Sequence, residues 1–244
     1  MKISGVNMKS VENIKKELLK FSNVTKKEKY YRYFQAFPGG YGEGDEFYGV
    51  TVPEQRKLAK KFYNEISLEE TFLLLENPVH ECRLTSVFIL VLKFQKTKDE
   101  NIKQKIFNGY LQRTDFINNW DIVDSSAEHI VGAYLDDKSK DLIIAMAESG
   151  DLWKQRISVL SCFYSIKKNS LELIEQVASI LLNHEHDLIH KAVGWMLREG
   201  GKRDYQWEYN FLQKNYKNMP RVMLRYAIEK FEEPVRKKFL KGEV

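Results

Sequence analysis

Helical amphipathic stretches recur along this chain at intervals of roughly 32–41 residues, and no other feature limits the fold as strongly. Arg83, Trp120–Asp124, Arg156 and Lys191–Trp195 mark corresponding positions on successive helices. Each is followed by a turn and a shorter, more polar helix. A single hairpin of this kind cannot bury its apolar stripe, so neighbouring hairpins stack to share a core. The pattern predicts an all-α protein, a HEAT-like α-solenoid of stacked antiparallel helix pairs with a concave inner face, running as one domain over residues 1–244. Identity between the repeats is weak, and a compact irregular bundle is the alternative.

Local signals agree with helices from end to end. Pro53 opens one at its first turn, and Ser67-Leu68-Glu69-Glu70 reads as a capping box. Asn77-Pro78 stops that helix, Ser149-Gly150-Asp151 ends one and caps the next, and Pro220 starts a late one. Val87–Leu92, an apolar run of six residues, has the composition of a buried strand, but it lies within Cys82–Phe94 with no turn signal inside. A helix is the better reading. Only 13 Gly and 5 Pro occur in 244 residues, which suits helices over sheets. No run reaches a membrane span, and Met1–Gly5 lacks the apolar core of a signal peptide. Cys82 and Cys162 sit in apolar helical surroundings without a CxxC, as buried thiols in a reducing cytosol would.

Two charges stand out. On a helical wheel of Asn118–Leu135, Trp120, Ala127, Val131, Tyr134 and Leu135 share an arc with Asp124 in its middle. On Asp151–Lys167, Arg156 sits within the stripe of Trp153, Ile157, Leu160, Phe163 and Tyr164. A charge in such a place loses hydration and needs a partner or a ligand. Either the two pair to hold helices together, or they face a cleft where something charged binds. Trp195 is the reverse case. The stripe of its helix is Ile189, Ala192, Val193, Met196 and Leu197, while Trp195 points away with Lys191 and Arg198. Such an indole either stacks on a nucleic-acid ligand whose phosphates meet the cations, or packs on the next repeat under snorkelling stems.

From Lys191 onward, 13 Lys and Arg face 7 Asp and Glu, a balance of +6, which leaves about −1 of the chain's +5 for the remainder. A basic last third on a near-neutral body fits a polyanion-binding face, or simple solvation of helix surfaces. The tail Arg236-Lys237-Lys238 reads as a solvated helix end. Pro38–Asp45 is the one clear irregular segment. It lacks the Gly-Lys-Ser/Thr ending of a phosphate cradle, and Glu43, Asp45 and Glu46 would repel phosphate. It reads as a flexible surface loop. His184, His186 and His190 lack a Cys partner or an HExxH arrangement, so no metal is expected there.

The segments Phe47–Arg56, Asn119–Asp124, Trp153–Arg156 and Lys191–Glu199 together resemble the bacterial DNA alkylation-repair glycosylases of the AlkD type. The likeness runs in order from about Tyr31 to Arg203. It implies a HEAT-like fold that holds duplex DNA against a basic concave face, and excision of purines carrying a positive charge from N3 or N7 alkylation. Carried over by position, Asp124 is the catalytic carboxylate, and Trp120 and Trp195 hold the deoxyribose of the lesion. Tyr33 falls at a further position close to it. Arg156 contacts the DNA backbone, with Lys191 and Arg198 beside Trp195 as further phosphate ligands. Asn119 stands where the best-known member has another aromatic, and Pro38–Asp45 is longer than that member's loop.

The chemistry fits these residues. A cationic alkylpurine is a good leaving group without a general acid, and one anion suffices to stabilise the oxocarbenium-like sugar that remains. The expected partner is double-stranded DNA bearing alkylated purines, with no cofactor and no membrane, acting as a monomer in the bacterial cytosol or nucleoid. The rival from another class is a non-catalytic HEAT-type scaffold that binds DNA or a protein.

Overall fold

The computed structural model of the protein describes residues 8–244; Met1–Gly5, the segment judged against a signal peptide, lies outside them. Among the described residues, fourteen α-helices follow one another without a strand, and the β-type pairing is a single parallel bridge between Glu46 and Val79. The all-α expectation therefore holds. No described helix is long and apolar enough to cross a membrane. The chain divides into two compact units, Met1–Ser126 and Ala127–Val244.

The first unit contains α1 (Lys9–Lys20), α2 (Val24–Tyr33), α3 (Val52–Phe62), α4 (Leu68–Leu75), α5 (His80–Lys96), α6 (Glu100–Leu111) and α7 (Trp120–Asp124). Pro53 lies in the first turn of α3. At α4 the capping box is complete: Ser67 accepts from the Glu70 amide, and Glu70 accepts from that of Ser67. The strand-like run Val87–Leu92 is the middle of α5, which packs against α1, α3, α4, α6 and α7 and is buried on nearly every side. Its surroundings explain the ambiguous composition: a helix at the centre of a bundle has no polar face.

Because α5 is enclosed, its charged residues must be satisfied inside the unit. Glu81, fully buried, accepts backbone N–H bonds from Tyr48 (3.1 Å), Gly49 (2.7 Å) and Val50 (3.1 Å). This clasps the segment leading into α3. Gly49 has φ +80°, and a Cβ there would stand 2.2 Å from the Asn23 carbonyl oxygen, so the close approach needs glycine.

Two sequence expectations change here. The segment Pro38–Asp45 is not a free surface loop. The Gly39 amide donates to Glu43, the Tyr41 hydroxyl donates to the Tyr33 carbonyl, and Asp45 is buried against Arg83 and His80. Nor is Asn118–Leu135 one helix. Asn119 caps α7, which stops at Asp124; a turn at Ser125–Ser126 follows, then a π-helical stretch at Glu128–Gly132. The Ser126 hydroxyl bonds back to the Ile122 carbonyl (2.6 Å) and meets the Tyr110 hydroxyl (2.9 Å), an alternative to helical continuation that the wheel does not show. The buried face of α7 is accordingly Ile122 and Val123, while Trp120 and Asp124 are only half-buried.

The second unit continues with α8 (Asp141–Glu148), α9 (Leu152–Lys167), α10 (Glu172–Ile180), α11 (Asp187–Gly201), α12 (Tyr205–Asn215), α13 (Arg221–Ala227) and α14 (Glu233–Lys241). It is two-layered. The π-helical stretch, α9, α11 and α13 pack side by side in one row; α8 and α10 pack on each other behind α9, and α12 behind α11. Equivalent glycines set the spacing of the row. A Cβ on Gly132 would lie 2.4 Å from the Ser161 carbonyl oxygen, and one on Gly194 would lie 2.4 Å from that of Met223. Asp151 caps α9 through the Trp153 and Lys154 amides, and Gly150 before it adopts φ +72°. Arg236, Lys237 and Lys238 are exposed on α14. Both cysteines are buried and free; burial pushes the Cys82 thiol up to about 12 and moves Cys162 the same way.

Behind α11, the carboxyl of Glu208 fills the space where a Gly201 side chain would stand, and its Oε1 meets no partner among the described residues. Burial raises its pKa to about 8, with Arg198 opposing. The folded chain thus retains a proton that the unfolded chain releases from about 4.5 upward, so this group lowers stability as pH rises from 4.5 to 8. Glu208→Gln should melt above the wild type at pH 8 by roughly 2–4 °C for each kcal/mol relieved, and converge with it near pH 4.5. Thermal melts across that range check this; parallel curves would contradict it.

Candidate functional site

Tyr33, Trp120 and Asp124 fall in the first unit, and Arg156, Lys191, Trp195 and Arg198 in the second. In the first unit, Asp124 is the last residue of α7, one turn beyond Trp120. The indole packs edge-on against Tyr33 (centroids 5.7 Å apart, planes at 77°) and tilts against Phe34 (5.5 Å). Tyr33 is 62% exposed and leads this aromatic group into solvent. Beneath it, Phe34, Ala36 and Phe47 form a small core on which Tyr30 and Trp120 rest.

A charged group underlies that core, and sequence reasoning missed most of it. His80 is 1% exposed and stacks on Phe34, with ring centroids 4.6 Å apart. Its Nδ1 lies 3.2 Å from Asp45 Oδ2 and its Nε2 lies 2.9 Å from Asp121 Oδ2. Arg83 donates to the other oxygen of Asp45 (2.6 Å) and to the Asn77 and Pro78 carbonyls. Burial by itself would lower the imidazole pKa; the charge and hydrogen bond of Asp121, then the bond to Asp45, override it and hold His80 at about 9. Burial likewise works to raise Asp45, and its bonds to His80 and Arg83 outweigh that, keeping it below the usual carboxylate range. His80 is therefore an imidazolium at neutral pH, donating from both nitrogens. The available signal was three ionisable residues, His80, Glu81 and Arg83, opening the helix that carries the apolar run Val87–Leu92.

In the second unit, the stripe predicted for α11 is fully buried, and Lys191, Trp195 and Arg198 lie half-buried beside it. The Trp195 indole N–H donates to Glu199 (3.1 Å), and its ring meets Phe163 edge-on at 6.0 Å. Lys191 pairs with Asp187, and Arg198 with Glu229. Arg156 on α9 is 5% exposed and donates to the Leu188 carbonyl in the first turn of α11. The three histidines serve as local ties. His186 caps α11 by accepting from the Leu188 amide, His184 accepts from the His186 amide and meets Gln155, and His190 meets the His184 carbonyl. Burial holds His184 and His186 below the usual imidazole value. Among the described residues, no group of three or more His, Cys, Asp or Glu is placed to hold a metal ion.

A row of helices spaced by close glycine contacts in the second unit, and an aromatic cluster beside the carboxylate of α7 in the first, characterise an all-helical protein with a candidate nucleic-acid site. The sequence profile of the family described as DNA alkylation repair enzyme matches residues 14–231. The chain belongs to that family. Among solved structures it is similar to one described as "Predicted DNA alkylation repair enzyme from Enterococcus faecalis", with a TM-score of 0.68 and 17% identity over 87% of this chain and 97% of that one. At that identity the likeness establishes the fold. No curated protein matches the sequence.

The His80 group generates a pH dependence of its own. Its pKa is raised from 6.5 to about 9 on folding, so its stabilisation is complete below 6.5 and is lost as pH rises through 9. Asp45, depressed from 3.8, contributes above that value and loses its contribution as pH falls through its folded pKa. His80→Gln should flatten the decline in melting temperature between pH 6.5 and 9 while lowering stability most at pH 6.5. An unchanged alkaline slope in the variant would show that His80 is not the charged partner.

Proposed function

We propose that the protein is a monofunctional DNA glycosylase that hydrolyses the N-glycosidic bond of cationic N3- or N7-alkylated purines in duplex DNA. The observation that carries this reading is the placement of Asp124 on α7, one turn from an indole that Tyr33 braces at the surface of the unit. Membership in the alkylation-repair family supports it. A base such as 7-methylguanine or 3-methyladenine carries its positive charge before the reaction starts. The C1′–N bond breaks with its electron pair going to the departing neutral purine, and the sugar becomes oxocarbenium-like. Asp124 stabilises that cation and orients the water, which adds at C1′ and loses its proton to the carboxylate or to solvent. Trp120, Tyr33 and Trp195 contact the lesion and its sugar. No metal or redox cofactor is called for, because the leaving group needs no further activation. The protein so read works as a monomer in the cytosol.

Arg156, Lys191 and Arg198 contact the DNA backbone in this reading. Lys191 and Arg198 already hold carboxylates, so phosphates must displace Asp187 and Glu229. Partly exposed pairs of this kind are worth about 0–1 kcal/mol, and the exchange costs little. Lys191→Ala should weaken duplex binding without regard to sequence and reduce the slope of log affinity against log salt by about 1. Affinity insensitive to salt would point to a protein partner instead.

Base release decides the chemistry. Wild type should liberate 7-methylguanine from methylated duplex DNA, and Asp124→Asn should do so roughly 10²–10³ times more slowly with DNA affinity retained. Release that persists undiminished in the variant refutes the role of Asp124. Failure of both proteins to release base, with DNA still bound, favours a non-catalytic scaffold.

A further inference from the structure

We infer that His80 is a positioning residue for the reaction: through Asp121 it fixes α7, and so fixes where Asp124 and Trp120 stand. The inference rests on the glycosylase reading for its kinetic consequence, while its structural core is independent of it.

The helix that carries Asp124 and Trp120 has five residues, too few to be stable by itself. The turn at Ser125–Ser126 interrupts it immediately afterwards. Its anchors are the buried Ile122 and Val123, the packing of Trp120 on Phe34, the Asn119 cap and the Asp121 carboxylate. Asp121 bonds through Oδ2 to His80 at 2.9 Å, whereas its Oδ1 is buried without a partner among the described residues. Among the described residues, His80 is therefore the one hydrogen-bond partner of that side chain. The imidazole cannot follow α7 if it moves, because Asp45 grips its other nitrogen and Phe34 and Phe47 lie against its ring. Asp45 is in turn fixed by Arg83 on α5. Rigid elements thus transmit the position of α5 to the end of α7, three residues from Asp124.

Every titratable group around the ring belongs to this assembly. Asp45 faces it from the loop, Asp121 from α7 and Arg83 from α5, while Glu81 is occupied by backbone amides. The Tyr30 phenol of α2 is pushed up by burial, then by Glu81 and Asp121, and stays neutral in this range. Loss of the His80 proton is then the one change expected near pH 9.

Asp121→Asn tests this in the full-length protein. It keeps the shape of the side chain, removes the charge that His80 holds, and touches no substrate. The expected result is single-turnover release of 7-methylguanine about 10- to 100-fold slower, the scale of a displacement near 1 Å at a reacting centre. Duplex affinity should stay within about 2-fold of the wild type, and amide exchange across Trp120–Asp124 should quicken. In the Asp124→Asn background the same change should cost much less, since most of its effect runs through Asp124 and only the displacement of Trp120 remains. Wild-type rates should also fall as pH passes about 9, and that limb should be absent in Asp121→Asn. A wild-type rate in Asp121→Asn, or an equal loss in both backgrounds, overturns the inference. If the wild type releases no base at all, the glycosylase reading fails by itself. The exchange data, expressed as protection relative to the intrinsic rate at each pH, then decide: lower protection across Trp120–Asp124 in Asp121→Asn, and in the wild type above pH 9, upholds the positioning, and unchanged protection overturns it.

Discussion

An imidazolium held between two carboxylates inside a hydrophobic cluster organises the first unit. Burying any one of these charges alone would be prohibitive, and removing one partner of a buried pair typically costs about 3–5 kcal/mol. Here His80 and Arg83 balance Asp45 and Asp121 through contacts of 2.6 to 3.2 Å. The group joins a glycine-containing loop, the central helix α5 and the short helix α7. Without it, Asp45 would lose its side-chain partners, and α7 would rest on Ile122, Val123, the packing of Trp120 and the Asn119 cap. The aromatic platform of Phe34, Phe47, Trp120 and Tyr33 lies on top of this group and inherits its rigidity.

On the proposed reading, the two units differ in what each offers a nucleic-acid ligand. The first offers a carboxylate beside exposed aromatic rings, suited to a sugar that gains positive charge. The second offers cations already paired with acidic side chains, suited to phosphates that can replace them. Arg156 differs from Lys191 and Arg198 because it is buried and bonded to the Leu188 carbonyl, and so ties α9 to α11.

Legibility in the sequence followed the range of the interactions involved. The capping box at Ser67, the Asp151 cap and the buried stripe of α11 depend on neighbours within one or two turns, and each stands where its pattern places it. The off-stripe position of Trp195 was readable for the same reason. The break after Asp124 was not, because it depends partly on the Tyr110 hydroxyl reaching Ser126 from 16 residues away. The loop at Pro38–Asp45 looked mobile from its glycines, yet its anchor, Asp45, is held by Arg83 across 38 residues. His80 escaped notice because its partners lie 35 and 41 residues distant on opposite sides in sequence. Within the candidate site, the residues on α7 and α11 were visible, and the structure that holds α7 was not.

Titration of the His80 ring by heteronuclear NMR tests the central claim most directly, because it reads the charge of the residue that joins loop, α5 and α7. The account predicts a ring protonated on both nitrogens throughout the neutral range, titrating near pH 9, with its shifts altered by Asp121→Asn. A ring that loses its proton at or below 6.5 would mean that a neutral histidine sits between Asp45 and Asp121 at neutral pH, and the ionic anchoring of α7 would be contradicted.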